Sequence, residues 1–369
     1  MDERSGGGLA DGLPTGASSA AHEEAMPRAQ VTRRTAIVLL VFAASIVALF
    51  YFVVPRLAGI GKTWDRLDQG DPVWLAVAAL LELLSFAGYV ALFRAVFVRG
   101  ETRVGWRESY QITMAGLAAT RLFASAGAGG IALTAWALRR SGMETRSVAV
   151  RMIAFNVLLY AVYMSALVLI GIGLRVGLLP GKAPFGLTVI PAAFGGFVIA
   201  LMLAMTALPA GFERRLQRGA QRSGRIARVL ARMALIPASV ADGTRAAIAL
   251  CRTRNPALLG AIGWWGFDIA TLWASFHAFG QAPPWPVIII CYFVGMLANV
   301  LPLPGGIGGI EGGMIGAFIA FGVSGSLALV AVITYRAFAF WLPTIPGAIA
   351  YLQLRRTVRG WRQHPAVAT

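Results

Sequence analysis

The stretch that decides the fold is "NVLPLPGGIGGIEGGMIGAF", residues 299–318, inside an apolar block at 286–322. It contains seven glycines, two prolines and one glutamate. Glycine and proline end helices, because glycine adds backbone freedom and proline removes a hydrogen-bond donor. An unbroken helix is therefore not expected here, although the composition is that of a membrane segment.

Composition places the whole chain in a membrane. Of its 369 residues, 57% are hydrophobic and only 13% are charged, and the mean hydropathy is +0.69. A soluble protein would have about 25% charged residues. The net charge of +17 comes from arginines beside apolar segments, as in cytoplasmic loops that face anionic lipid, and this placement argues against nucleic acid as a partner.

Eight apolar blocks follow one another along the chain, and six have the length of a single crossing. The other two have 31 and 37 residues, so as straight helices they would run roughly 46 and 55 Å across a core of about 30 Å. Each is interrupted by glycine, at 125–130 and 303–309, and is better explained as two half-helices. The blocks are 36–54, 73–93, 108–138, 152–174, 187–209, 257–279, 286–322 and 327–353.

The distribution of positive charge supports two re-entrant hairpins. If 108–138 and 286–322 both turn back inside the bilayer, 24 Lys and Arg lie on cytoplasmic flanks and five on external loops, as the positive-inside rule requires. The predicted fold class is an all-α polytopic membrane protein with six transmembrane helices and two re-entrant helical hairpins. Both termini are expected in the cytoplasm, with the protein in the inner (cytoplasmic) membrane of the cell.

The two hairpins also resemble each other in sequence. Residues 127–142 align on 306–322 with three glycines and one isoleucine matched. Opposite predicted orientations of the matched segments indicate an inverted repeat, which is the layout of many secondary transporters.

The domain boundaries follow from this topology. Residues 1–27 are predicted to be a disordered cytoplasmic tail, 28–356 the transmembrane domain, and 357–369 a cytoplasmic C-terminal tail. Within the domain, 211–256 is a basic amphipathic cytoplasmic loop suited to an anionic leaflet. Its arginines on one helical face are Arg218, Arg222, Arg225 and Arg232.

The glycine segments are candidates for hairpin tips near the midplane, where irregular backbone is tolerated only inside protein or beside a wet cavity. Half-helix N-termini there favour anions such as phosphate. Close helix packing through small residues is the alternative explanation. The tip residues are Gly127, Gly129, Gly130, Pro304, Gly305, Gly306, Gly308 and Gly309.

Ionisable residues within apolar segments are the candidate functional groups, since charge inside a membrane is costly. Glu311, Asp268 and Glu82 are predicted to balance charge or carry a coupling proton, and Glu311 could alternatively satisfy loose amides at the turn. Arg336 lies near mid-depth and needs an anionic partner, which is Glu311, Asp268 or a lipid phosphate.

Two further residues near the tips complete the set of predicted headgroup contacts. Arg121 precedes the first glycine segment much as Asn299 precedes the second. Arg121 could bind an anionic headgroup or extend along the hairpin to the interface. With Arg336, these two form the predicted headgroup-binding set.

Signatures of soluble enzymes are missing from the sequence. It has no P-loop, dinucleotide fingerprint, zinc-ligand spacing or nucleophile elbow, so neither a cofactor, a metal nor a catalytic residue is predicted. Two cysteines make a disulfide framework unexpected.

The segment 299–324, "NVLPLPGGIGGIEGGMIGAFIAFGVS", resembles the signature of the lysylphosphatidylglycerol synthase transmembrane-region family, also called flippase-like integral membrane proteins. The segment 121–143, "RLFASAGAGGIALTAWALRRSGM", is similar to the family's first glycine segment, but lacks its proline and has Ala132 where a polar residue is usual. The resemblance covers about 36–353 and implies the translocase domain of multiple peptide resistance factors without their synthase domain.

The resemblance therefore implies a lipid translocase that moves an anionic aminoacylated, polyprenyl-linked or glycolipid headgroup between leaflets, with a synthase or glycosyltransferase as a candidate partner. Two alternatives stay open. One is a membrane-embedded transferase on a polyprenyl phosphate, with Glu311 or Asp268 as base. The other is a non-transporting partner of an envelope lipid synthase.

Overall fold

The structure is a computed structural model that describes residues 70–98, 103–122, 128–207, 225–297 and 308–363. Side-chain positions are described for these residues except 121, 122, 128, 225–236, 362 and 363. The tail 1–27 and the predicted first span 36–54 lie outside these ranges.

Within those ranges, every element of regular secondary structure is helical. A short 3₁₀ turn at Pro256–Leu259 precedes α7, and a π-helical segment at Ala337–Trp341 follows α10. The helices are α1 Pro72–Phe97, α2 Trp106–Leu122, α3 Ala128–Arg140, α4 Thr145–Arg175, α5 Phe185–Thr206, α6 Arg225–Arg252, α7 Gly260–Phe279, α8 Trp285–Leu297, α9 Gly309–Ala320, α10 Gly325–Arg336 and α11 Thr344–Gln363.

Five helical segments are long and apolar enough to cross a membrane, and they coincide with five of the six predicted spans. The last is not one continuous helix, because α10 ends at Arg336 and α11 begins only at Thr344. Pro343 lies in this break and Pro346 in the first turn of α11, and neither can donate a backbone hydrogen bond. The five segments are Pro72–Phe97, Thr145–Arg175, Phe185–Thr206, Pro256–Phe279 and Gly325–Trp361.

The two overlong blocks each form two shorter helices, as their glycines predict. We call α2 with α3 the first helix pair and α8 with α9 the second helix pair. The 13 residues of α8 extend about 20 Å, short of a hydrocarbon core of about 30 Å. In the first pair, Gly116 lies beside Thr134 and Gly130 beside Thr120, so the two helices run antiparallel. Re-entry from opposite membrane sides, and hence the six-span topology, stays a prediction.

Two apolar cores hold these pairs. The first surrounds the first helix pair with side chains of α1, α4 and α11, and Phe93, Ile112 and Leu138 are among its fully buried members. The second surrounds the second helix pair with side chains of α4, α7 and α10, including Phe276 and Phe318. Helices α4 and α7 contribute to both cores and so connect the two halves.

Helices α1 and α7 cross in close contact because glycines face each other. A Cβ atom at Gly260 would overlap the carbonyl oxygen of Gly88, which is the small-residue packing typical of membrane helices. This contact places α1 directly against α7, and it positions the charged residues described below.

Helix α6 occupies much of the predicted basic loop and packs on α4 and α5. Gly243 contacts Ile153 of α4, and Arg245 donates to the Thr206 carbonyl oxygen at 3.0 Å. The side chains of the predicted arginine face lie outside the described part, so its contact with an anionic leaflet stays a prediction.

Candidate functional site

A buried ion pair joins the second helix pair to α10. Arg336 Nε donates to Glu311 Oε1 at 2.7 Å, and the two residues are only 6% and 8% exposed. Of the three partners that the sequence left open for Arg336, the structure places Glu311 in direct contact. The attraction within a buried ion pair offsets the free-energy cost of desolvating both charges only when the two groups are this close.

Glu311 is held in place by the start of α9. Gly308 has a φ of +83°, a conformation that favours glycine, and its amide donates to Glu311 Oε2 at 2.7 Å. One carboxylate therefore caps the helix with one oxygen and binds Arg336 with the other. The positive N-terminal end of the helix also stabilises the negative charge of Glu311.

Arg336 is positioned by an irregular piece of helix. It is the last residue of α10, and the π-helical segment Ala337–Trp341 follows directly. The ring of Phe340, in this segment, lies 4.4 Å from the guanidinium carbon, within cation–π range. Single π-helical turns inside helices are frequent at functional sites.

Asp268 forms a second polar centre at the middle of α7. Its Oδ2 accepts a hydrogen bond from the Tyr335 hydroxyl at 2.8 Å and a short one from the Tyr292 hydroxyl. Asp268 is 5% exposed, and both tyrosines are fully buried. Asp268 also lies within electrostatic reach of Arg336, so the two polar centres form one cluster.

Glu82 lies beside Asp268 because of the register of α1 against α7. Thr271 Oγ1 lies 3.5 Å from the Ala78 carbonyl oxygen, and Ser85 Oγ donates to the Trp264 carbonyl oxygen at 2.9 Å. These contacts fix an antiparallel register in which Glu82 stands opposite Asp268. The two side chains interact, and Glu82 is only 3% exposed.

The remaining predicted site residues are described only in part. Arg121 is the penultimate residue of α2, and its side chain is not described. Five others lie outside the described residues: Gly127, Asn299, Pro304, Gly305 and Gly306. Their headgroup and tip roles stay predictions.

The described tip glycines differ in what they do. Gly129 and Gly309 stand in the first turns of α3 and α9. A Cβ at Gly130 would overlap Thr120 and the Gly116 carbonyl, which is the close-packing role. Gly308 instead needs its left-handed backbone for the turn before α9. Packing and turn formation, which the sequence left as alternatives, both occur at different positions.

A polar cavity of about 410 Å³ lies between the first helix pair and helices α1, α4 and α7. Its polar lining consists of hydroxyl and amide side chains on four helices, α1 to α4, and Asn156 is an exposed residue. Such uncharged donors and acceptors can bind water or the polar part of an amphiphile. The polar lining residues are Tyr89, Thr113, Thr120, Thr134, Asn156 and Tyr160.

A larger apolar groove of about 850 Å³ adjoins this cavity between α3, α4, α5 and α6. The cavity and groove share four lining residues: Ile131, Met152, Asn156 and Tyr160. The groove therefore continues the polar cavity with a surface suited to hydrocarbon.

An aromatic wall separates the cavity from the charged cluster. Trp265 lines the cavity, and its Nε1 donates to the Leu159 carbonyl oxygen at 2.8 Å. Its ring lies 6.2 Å from the ring of Tyr292, the tyrosine that bonds Asp268. Tyr163 strengthens the wall by donating from its hydroxyl to the Phe293 carbonyl oxygen at 2.5 Å.

The described part of the chain contains no group of three His, Cys, Asp or Glu side chains arranged to hold a metal ion. The carboxylates of the cluster instead contact hydroxyl, amide and guanidinium donors. The arrangement can therefore bind protons or exchange ion pairs.

Sequence reasoning missed the tyrosines and threonines of the site. Tyr292 and Tyr335 stand in apolar helices, and a buried tyrosine usually needs a hydrogen-bond partner for its hydroxyl. That requirement, and the position of Tyr335 directly before Arg336 in the sequence, could have identified the two tyrosines as site residues. The threonines of the cavity were harder to identify from sequence, because the hydroxyl of a threonine in a membrane helix commonly bonds a carbonyl oxygen of its own helix.

These features define a polytopic helical membrane protein with two pairs of short helices and a buried charge cluster. The chain belongs to the family described as lysylphosphatidylglycerol synthase TM region, which matches residues 36–347.

Three matching relatives are described as UPF0104 membrane proteins. A UPF0104 membrane protein of Methanothermobacter thermautotrophicus is 23% identical over 331 residues, which cover 85% of this chain and 94% of the relative. Two further matches to UPF0104 membrane proteins of the same organism are local, at 36% identity over 91 residues and 37% over 86. Each of these spans only 26% of the relative's length.

Proposed function

We propose that the protein moves a lipid with an anionic, phosphate-containing headgroup between the two leaflets of a membrane. The observation that carries this proposal is the polar cavity that continues into the apolar groove. A lipid is an amphiphile, and a binding site for it needs a polar compartment next to a surface that accepts acyl or prenyl chains.

The groove suggests the side from which the lipid enters. Arg139, Thr145 and Cys251 line one part of it, and they belong to flanks predicted to be cytoplasmic. A lipid of the cytoplasmic leaflet can place its headgroup in the cavity while its chains stay in the groove. The proposal keeps the predicted location in the inner membrane, with both termini in the cytoplasm.

The next position for the headgroup is the ion pair of Arg336 and Glu311, which lies behind the aromatic wall. When the wall at Trp265 opens, a phosphate can reach Arg336, whose guanidinium binds phosphate as readily as carboxylate. Glu311 then keeps only its bond to the Gly308 amide. Exchange of one anion for another keeps the Arg336 guanidinium paired inside the membrane, while the Gly308 amide and the positive end of α9 stabilise the Glu311 carboxylate.

The family name supports phosphatidylglycerol carrying an amino acid as one cargo, and a polyprenyl-linked phosphate would satisfy the same groups. A synthase or glycosyltransferase would supply that lipid. The cargo class is therefore defined by its phosphate and its long apolar chains.

A leaflet-resolved assay tests the proposal. Purified protein is reconstituted in vesicles with fluorescent phosphatidylglycerol, and a membrane-impermeant quencher reports the outward movement of the label. Asn156→Leu and Thr134→Val are expected to slow this movement. Thr206→Val is the matched control, because the Thr206 hydroxyl donates within its own helix, to the Leu203 carbonyl oxygen, and Thr206 is not among the residues that line the cavity.

Equal rates in wild-type and protein-free vesicles would refute translocation of this lipid. Equal rates in wild type and the cavity variants would refute the role of the cavity. Chemical change of the lipid, detected by mass spectrometry, would support the transferase alternative.

A further inference from the structure

Two buried carboxyl groups face each other across the α1–α7 contact. Glu82 and Asp268 are 3% and 5% exposed, and the contacts at Ala78–Thr271 and Ser85–Trp264 on either side of them fix their juxtaposition. Two carboxylates in contact inside a low-dielectric interior cannot both keep a negative charge, so one of them holds a proton.

The surroundings decide where that proton resides. Asp268 accepts hydrogen bonds from two tyrosine hydroxyls, and hydrogen bonds donated to a carboxylate stabilise its charged form. The proton of the pair therefore resides mainly on Glu82. The titratable and charged groups that act on the pair from neighbouring helices are Tyr292 on α8 and Tyr335 and Arg336 on α10. Glu311 on α9 is linked to the pair only through Arg336, and the Tyr163 hydroxyl on α4 donates to the Phe293 carbonyl oxygen.

We propose that Glu82 and Asp268 form a proton-binding site that couples lipid movement to a transmembrane proton gradient. The coupling rests on the proposed lipid translocation, whereas the shared proton does not. The site takes one proton from one side of the membrane and releases it to the other, without any redox step.

Arg336 connects the protonation of Glu82 and Asp268 to the position of the second helix pair. Loss of the proton leaves two adjacent carboxylates, of which Asp268 lies within electrostatic reach of the guanidinium, and Arg336 then turns from Glu311 towards the pair. Glu311 loses its buried countercharge, and the start of α9 at Gly308 loosens. Protonation reverses these steps, so the charge of the pair decides whether Arg336 closes the second helix pair.

Infrared difference spectroscopy tests the proton site without any transport. Purified protein is titrated with pH, and the carbonyl band of protonated carboxyl groups is compared in wild type, Glu82→Gln and Glu144→Gln. Glu144 is an exposed carboxyl near the start of α4. We expect a buried-acid band in wild type and in the Glu144 variant that is absent in Glu82→Gln. A band that persists in Glu82→Gln would overturn the proton site.

A second experiment tests the coupling. Vesicles containing fluorescent phosphatidylglycerol receive an imposed pH gradient, which we expect to change the wild-type translocation rate by about fivefold or more. Glu82→Gln imitates the protonated carboxyl and should fold, and its rate should not respond to the gradient. A response equal to wild type would overturn the coupling.

The outcomes separate the two proposals. An infrared band that depends on Glu82, in a protein that moves no lipid, would support the proton site and refute the proposed function. Lipid movement that ignores the gradient, without such a band, would refute the proton site alone.

Discussion

A double-mutant cycle on Arg336 and Glu311 measures whether the buried ion pair holds the second helix pair against α10. The variants are Glu311→Gln, Arg336→Met and their combination. At the observed 2.7 Å, two unit charges attract by about 6 kcal/mol at an effective dielectric constant of about 20. Desolvation offsets part of this attraction, while removal of one partner leaves the other charge buried, at a cost of about 3–5 kcal/mol.

The double variant should be less destabilised than the sum of the single changes, by about 3 kcal/mol, because it leaves no buried charge unpaired. Stability is measured by reversible unfolding in mixed detergent micelles. Arg245 and Asp242 provide the control pair, with a similar 2.9 Å separation but side chains 32% and 33% exposed. Their coupling should be only about 0.2–1 kcal/mol. A coupling for Arg336 and Glu311 no larger than that of the control would refute the argument.

Two further changes test the packing and hydrogen bonding around the site. Tyr335→Phe removes one hydroxyl donor from Asp268 and should cost about 1–2 kcal/mol in the same unfolding assay; an unchanged stability would contradict this bond. Gly260→Val should cost about 1–3 kcal/mol or more by overpacking against Gly88, whereas Gly266→Val on the same helix, with no neighbouring atom near its Cβ position, is the control. If Gly260→Val and Gly266→Val destabilised the protein equally, the close contact of α1 with α7 would not be the cause of the destabilisation by Gly260→Val.

Much of the fold could be predicted because membrane segments carry their own signal. A span needs about 20 apolar residues, so the described spans follow from block length alone. The second helix pair was predictable because glycine and proline interrupt a block too long for one crossing. The helix start at Gly309 and the cap by Glu311 agree with the interpretation of that stretch.

The partners within the site were less predictable, since pairing depends on helix register. The sequence showed that Arg336 needs an anion, but only the packing of α9 against α10 selects Glu311 over Asp268. The contact of Glu82 with Asp268 depends on a glycine crossing at Gly88 and Gly260. The polar cavity is invisible in the sequence, because its threonines and asparagine come from separate helices.

The measurement that tests the central claim most directly is photo-crosslinking with two phosphatidylglycerol probes, one reactive at the headgroup and one at the end of an acyl chain. The account predicts headgroup adducts around Thr134 and Asn156 and chain adducts around Val198 and Ile248 in the groove. Adducts of both probes confined to the outer face of α5, for example at Phe197, would contradict a lipid site formed by the cavity and groove.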